Sequence, residues 1–291
     1  MADTITQKLQ ISHFTYEECA WYVDRGFYDC LHKVHDNIIT KAIPVSGGHT
    51  LISLDGKGSA LNITCDKAYE HEAVSYVHEW FDLERDLSVF EEVAMTEPDF
   101  VPVYRAYSGL RLIRIPDLFE ALSWSIIGQQ INLAFAYTLK SRLVQTYGTE
   151  AADGHYLFPR PEVVAGLDPA VLQPLQFSKR KAEYLTGIAS ALCEGKLSKT
   201  DLTSLPDTAA MQDLLCSFRG IGPWSANYVL LRCLCRTDAI PHGDAGMINA
   251  YKKIFRPADK PTGDDICQYL NKFAGWQAYV VLYWWRHLSD S

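Results

Sequence analysis

The 291-residue chain is 48% hydrophobic and 21% charged, with 18 Gly and 13 Pro. That composition excludes a disordered or fibrous chain and leaves room for about two ordinary domains with a sizeable core. The longest unbroken apolar run, Ala278 to Trp285, falls far short of the ~20 residues that cross a bilayer, so no membrane span is expected. Residues 1–8 carry no basic stretch followed by an apolar one, and the eight cysteines include no CxxC. Cys233 and Cys235 form a lone C-x-C followed only by Cys267, which excludes the four-ligand spacing of a zinc or iron–sulfur centre. These features point to a cytoplasmic protein with reduced thiols, no metal held by side chains and no organic cofactor.

The formal net charge is −8, but residues 66–100 hold eleven Asp/Glu against two Lys/Arg, and the rest of the chain keeps 25 basic and 24 acidic residues. Basic clusters occur at Arg105-Arg111-Arg114, Lys179-Arg180-Lys181 and Lys252-Lys253-Arg256. Overall charge therefore does not exclude a polyanionic partner, although each cluster alone also reads as a solvated helix face or loop.

In chain order, Ile38–Val45 is a strand candidate, and His49–Leu54 and Ala60–Cys65 alternate as a hairpin around a Gly-containing turn at 55–59. After Asp66 the period becomes helical, with Ala73, Val74, Val77, Trp80 and Phe81 on one stripe. From about residue 116 the chain reads as helical with Gly and Pro punctuation. Asp117 caps a helix bearing Phe119, Leu122 and Ile126. Gly128-Gln129-Gln130 interrupts it, and a second amphipathic run carries Leu133, Ala136, Leu139 and Leu143. Shorter helices are expected near 162–166, 169–174, 178–195 and 208–217. The fold class is α+β: a small antiparallel-sheet domain over 1–100, then a predominantly helical domain over 101–291, with a boundary near Asp99 to Ser108.

The informative segment is Leu214 to Tyr228. A helix ends at Phe218-Arg219, a Gly-Ile-Gly turn follows, and Pro223 opens the next helix, where its missing N–H costs nothing. This is a helix–hairpin–helix, at about 208–234. Gly220 and Gly222 permit close backbone approach, and the open N–H groups at a helix start suit a phosphate oxygen. Ala226, Val229, Leu230 and Cys233 form one stripe of the second helix, with Trp224 and Tyr228 opposite. Those two rings are either a wall for a planar base or the other side of a helix buried all round. Asp244 precedes a further amphipathic run and reads as an N-cap, a role compatible with a fixed carboxylate acting on a cationic transition state. His242 beside it is either an auxiliary acid or base or a turn histidine.

Arg219-Gly-Ile-Gly-Pro-Trp-Ser-Ala-Asn-Tyr228 followed by Pro241-His-Gly-Asp244 resembles the helix–hairpin–helix base-excision DNA glycosylase superfamily. Within it the resemblance is to the bacterial DNA-3-methyladenine glycosylase II family of alkylbase glycosylases. Gly109-Leu-Arg111, Asp117-Leu-Phe-Glu120, Ile127-Gly-Gln-Gln130 and Phe177 to Tyr184 extend it over most of the chain. The resemblance implies Asp244 as the catalytic carboxylate and Trp224, Tyr228 and Trp276 as the aromatic cleft for a flipped base. It implies that Gly220, Gly222 and the N–H of Ser225 hold a DNA phosphate, with a monovalent cation at hairpin carbonyls. The loop Gln129-Gln130-Ile131 would enter the duplex, with Gln130 where members of the family carry a leucine wedge. Trp224 stands where relatives that also cut the strand carry a lysine, which implies base release without lyase activity.

The function this implies is excision of alkylated purines of the 3-methyladenine and 7-methylguanine type from double-stranded DNA, by a monomer that leaves an abasic site. A glycosylase for oxidised or mismatched bases is the same-class alternative, expected to show more polar residues in the pocket. A non-enzymatic DNA-binding module using the hairpin for phosphate contacts alone is the alternative of another class.

Overall fold

The computed structural model describes residues 3–290. Five strands, β1 (Thr4–Gln10), β2 (His32–His35), β3 (Ile38–Val45), β4 (Gly48–Lys57) and β5 (Ala60–Asp66), form one antiparallel sheet in the order β1-β5-β4-β3-β2. The central hairpin pairs Leu54 with Ile63 and Gly56 with Leu61, so its buried side chains share a face. Its turn is tighter than the sequence indicates. Strand pairing continues to Lys57 and Ala60, and only Gly58, at φ +56, and Ser59 are left to reverse the chain.

Helix α1 (Tyr16–Val23) lies against this sheet. The Tyr16 hydroxyl donates to the carbonyls of Asn37 and Leu54 at 2.8 and 2.9 Å. Gly56 is what lets the ring in, because a Cβ there would stand 2.8 Å from it.

The remainder is helical: α2 (Glu70–Trp80), α3 (Ser88–Thr96), α4 (Val101–Ala106), α5 (Leu118–Ile127) and α6 (Leu133–Tyr147), then the two-residue strands β6 (Thr149–Glu150) and β7 (Tyr156–Leu157). After them come α7 (Pro161–Ala165), α8 (Lys179–Cys193), α9 (Lys199–Thr203), α10 (Thr208–Cys216), α11 (Pro223–Arg232), α12 (Ala245–Phe255), α13 (Gly263–Leu270) and α14 (Gln277–Ser289). Asp117 caps α5 by accepting from the Glu120 N–H, and nine of the ten residues of α5 are buried, which makes it the axis of the helical part.

One hydrophobic cluster runs from Phe14 to Trp284 with no break near residue 100. Phe90 of α3 and Tyr104 of α4 pack on Tyr283 of α14, and Arg286 of α14 pairs with Glu18 of α1 at 2.7 Å while lying 3.9 Å from the centre of the Trp21 ring. The returning terminal helix thus fastens the sheet to the bundle. Two of the arginines in the first basic cluster serve the same seam. Arg111 is buried and donates to the carbonyls of Ser12, Asp82 and Arg85, and Arg114 donates to Glu79 and to the Cys233 carbonyl.

Candidate active site

The hairpin is α10, the turn at residues 217–222, and α11. Gly220 sits at φ +96, and a Cβ on it would meet the Tyr184 ring at 2.3 Å, so backbone conformation and close packing both demand glycine. Gly222 is the N-cap of α11, carries no side-chain cap, and has nothing within 4 Å of where a Cβ would stand. The open N–H groups of that helix start are therefore reachable from outside the protein. Ser225 is buried in the first turn of α11, and its hydroxyl accepts from Gln129 Nε2 at 3.0 Å. The same amide donates to the Gly220 carbonyl at 2.8 Å, which ties the loop after α5 to the hairpin. Gln130 lies beside it, exposed and left-handed at φ +57, while Ile131 is half-buried and lines the cavity described next.

That cavity, of about 350 Å³, opens between the hairpin helix, the start of α12, the end of α14 and the loop after α5. Trp224 and Tyr228 stack on one side, with ring centres 5.4 Å apart and an interplanar angle of 26°. Helix α11 has eight buried residues out of ten, so it is buried almost all round and also presents two aromatic rings to a cavity. The Tyr228 hydroxyl accepts from Trp124 Nε1 at 3.0 Å and from Arg232 Nη1 at 2.9 Å, which fixes the plane of its ring. Burial raises its pKa against the pull of Arg232, so the phenol stays neutral at physiological pH.

Asp244 caps α12 at the cavity wall. Its Oδ1 accepts from the Met247 backbone N–H at 2.8 Å and from Trp285 Nε1 at 2.9 Å, and its Oδ2 accepts from Trp224 Nε1 at 3.1 Å. Three N–H donors converge on one half-buried carboxylate at a helix N-terminus, an arrangement that holds it in a single orientation. Two of the donors are indoles whose rings also line the cavity.

Sequence reasoning missed Trp285 and named Trp276 in its place. The structure puts Trp276 elsewhere: it is the residue before α14, packed on Phe90 at 5.6 Å and on Tyr279 at 5.7 Å, and it is not among the residues lining this cavity. Nine residues of helix amount to about two and a half turns, so Trp285 faces the opposite way and sits roughly 13 Å further along the axis. Gly246 was the available signal, because a Cβ there would crowd Asp244 Oδ1 and the Trp285 ring at 3.0 Å. His242 lies outside the cavity. It is exposed, and its Nδ1 is 3.3 Å from Cys267 Sγ.

Residues 123–275, more than half of the chain, match the family described as HhH-GPD superfamily base excision DNA repair protein. The chain belongs to this family. It is 38% identical over 278 residues to the DNA-3-methyladenine glycosylase of Bacillus subtilis (strain 168), covering 92% of this chain and 91% of that one. It is 33% identical over 183 residues to DNA-3-methyladenine glycosylase 2 of Escherichia coli (strain K12), covering 62% and 61%. The solved 3-methyladenine DNA-glycosylase from Archaeoglobus fulgidus matches over 97% of each chain with a TM-score of 0.84 at 18% identity, which shows a shared fold. The open start of α11 lies within the segment that matches the HhH-GPD family, whereas the cavity also takes Tyr22 and Arg25 from before that segment and Trp285 from beyond its end.

Proposed function

We propose that this HhH-GPD protein is a monofunctional DNA glycosylase that hydrolyses the N-glycosidic bond of alkylated purines in double-stranded DNA, acting as a monomer in the cytoplasm. The observation that carries the reading is the Asp244 carboxylate held by the indole N–H groups of Trp224 and Trp285 at the edge of a cavity walled by those same rings and Tyr228.

A base stacked in a duplex is out of reach, so it must be flipped, and a weakly paired lesion flips at lower cost. The open backbone at Gly222 and the first turn of α11 suits the phosphate contacts that hold the strand, and exposed Gln130 suits the gap left in the stack. The Phe218 and Gly220 carbonyls each accept one hydrogen bond within the protein, which leaves each a lone pair for a monovalent cation shared with a phosphate.

Alkylation at a ring nitrogen makes the purine cationic, so stacking on these rings gains about 1–2 kcal/mol of cation–π attraction. A cationic base also leaves readily. The C–N bond breaks with its electron pair going to the base, the sugar acquires oxocarbenium character, and water supplies hydroxide to C1′ while its proton passes by way of the Asp244 carboxylate to solvent. One fixed carboxylate, Asp244, stabilises that sugar and orients the water, and the good leaving group removes the need for a second, acid carboxylate. No lysine is among the described residues lining the cavity, so no amine stands ready to form a Schiff base and cut the strand.

Single-turnover base release from duplexes carrying one lesion each tests the reading. Release of 3-methyladenine and 7-methylguanine well above that of 8-oxoguanine or mismatched bases is expected, and the reverse order would reject alkylpurine excision.

A further inference from the structure

A second and smaller cavity, of about 90 Å³, shares Tyr22, Arg25, Trp124, Leu133 and Tyr228 with the base cavity and continues between the sheet and the helical bundle. Its charges do not balance. Lys41, Lys140 and Arg232 line it and are 8%, 6% and 8% exposed, with half-buried Arg25 beside them. Among the described residues the carboxylates lining it are Asp29 and Glu120, and both pair with Lys140, at 2.9 and 3.1 Å. Arg114, also in the lining, is paired with Glu79 outside.

Among the described residues Lys41 on β3 donates to the Leu31 carbonyl, at 3.3 Å, and to no side chain, and it stands 5.5 Å over the Trp80 ring. Arg232 on α11 donates to the Ile113 carbonyl and to the hydroxyls of Tyr22 and Tyr228, all neutral groups. Arg25 stands 5.0 Å from the centre of the Tyr22 ring and also acts on the Tyr137 and Tyr228 phenols. His32 adds nothing negative, and burial lowers its pKa so that it stays neutral. Two acids against Lys140 leave one negative charge, which also attracts Lys41, so with Arg232 and half-buried Arg25 the wall keeps an excess of two positive charges, and charge held out of water without compensation is costly. The space is ample, since about 10–15 Å³ on the same measure admits one water.

We propose that this chamber binds one small monovalent inorganic anion, chloride in ordinary solution, between Lys41 and Arg232. The ion joins the sheet to the hairpin helix and lies next to Tyr228, whose hydroxyl Arg232 holds. Burial lowers the pKa of Lys41, and an anion beside it favours the charged form. The inference stands apart from the glycosylase reading, and its test uses no DNA.

Crystals of the full chain grown or soaked in bromide should show an anomalous peak in the chamber, within hydrogen-bond reach of Lys41 Nζ and the Arg232 guanidinium. In solution, chloride replacing methanesulfonate at constant ionic strength should raise the Tm saturably. At chloride ten times its dissociation constant the rise should be roughly 2–3 °C for a chain of this size. Lys41→Met, which keeps the stem and removes the ammonium, should lose both the peak and the chloride dependence. If that variant does not fold, the wild-type diffraction and titration decide alone. Water density only in the chamber, equal Tm in the two salts, or a bromide peak without a saturable Tm effect, which would mean an adventitious ion only, each overturns the proposal.

Discussion

Replacing Trp285 and Trp276 in turn separates the two tryptophans by role. Trp285→Ala removes one face of the base cavity, and losing a stacking partner costs about 1–3 kcal/mol per base. It also removes the donor to Asp244 Oδ1 at 2.9 Å, and a hydrogen bond to a charged group contributes about 1.5–3 kcal/mol. The two effects share one side chain and overlap, so the loss in kcat/KM lies between roughly 5-fold, from the weaker effect alone, and roughly 10⁴-fold if both apply in full. Trp285→Phe keeps a ring against the cavity but deletes the Nε1–H. Its loss should be at most roughly 150-fold and should fall on kcat, because substrate still stacks while the carboxylate is less firmly aimed. Trp276→Ala removes packing against Phe90 and Tyr279 and should lower Tm, leaving single-turnover release of 7-methylguanine near the wild-type rate once the protein is folded. Single-turnover rates at saturating enzyme, alongside Tm, make the comparison. If Trp276→Ala slows release more than Trp285→Ala, the assignment of the cavity wall is wrong.

Substitutions at the two hairpin glycines should diverge. Gly220→Ala places a Cβ in the Tyr184 ring at φ +96 and should destabilise the fold by about 1–3 kcal/mol, read as a drop in Tm, whereas Gly222→Ala meets nothing and should leave Tm unchanged while weakening DNA binding. The buried pair of Lys140 with Asp29 sets an acid limit. Burial alone would raise the Asp29 carboxyl, but the Lys140 ammonium outweighs it and holds the carboxyl well below the usual carboxylate range, so its stabilisation is present above pH ~4 and is lost as pH falls through the lowered value. Because Lys140 keeps Glu120 as a partner, Asp29→Asn should cost about 1.5–3 kcal/mol at neutral pH and remove that part of the acid transition, as urea unfolding against pH will show. Borohydride added during turnover should trap no covalent protein–DNA adduct, and a stoichiometric adduct would reveal a nucleophilic amine that the cavity lining does not contain.

The parts of the fold written in local chemistry were legible. The hairpin is punctuated by Gly220, Gly222 and Pro223, the β4–β5 pair alternates cleanly, and Asp117 and Asp244 stand where caps belong. Strand β1 was not, because it is an edge strand whose inward positions include Gln7 between Ile5 and Leu9, so no strong apolar alternation marks it. Choosing between Trp276 and Trp285 depends on which face of α14 meets a residue forty positions away. In a helix that also holds Tyr279, Tyr283 and Trp284, periodicity cannot say. Lys140 carried a readable sign: it follows Ala136 by four on the apolar stripe of α6, and a charge on such a stripe asks for a buried partner, though not which one.

The central claim is that the Asp244 carboxylate performs the chemistry rather than the binding, and Asp244→Asn tests it with little change in shape. Asparagine caps a helix as well as aspartate does, but it presents an amide N–H₂ to one of the two indole donors and carries no charge for an oxocarbenium-like sugar. Single-turnover release of 7-methylguanine should fall by about 10² or more, while affinity for a duplex containing an abasic site stays within a few-fold of wild type. Release near the wild-type rate, or loss of affinity in step with loss of rate, would contradict it.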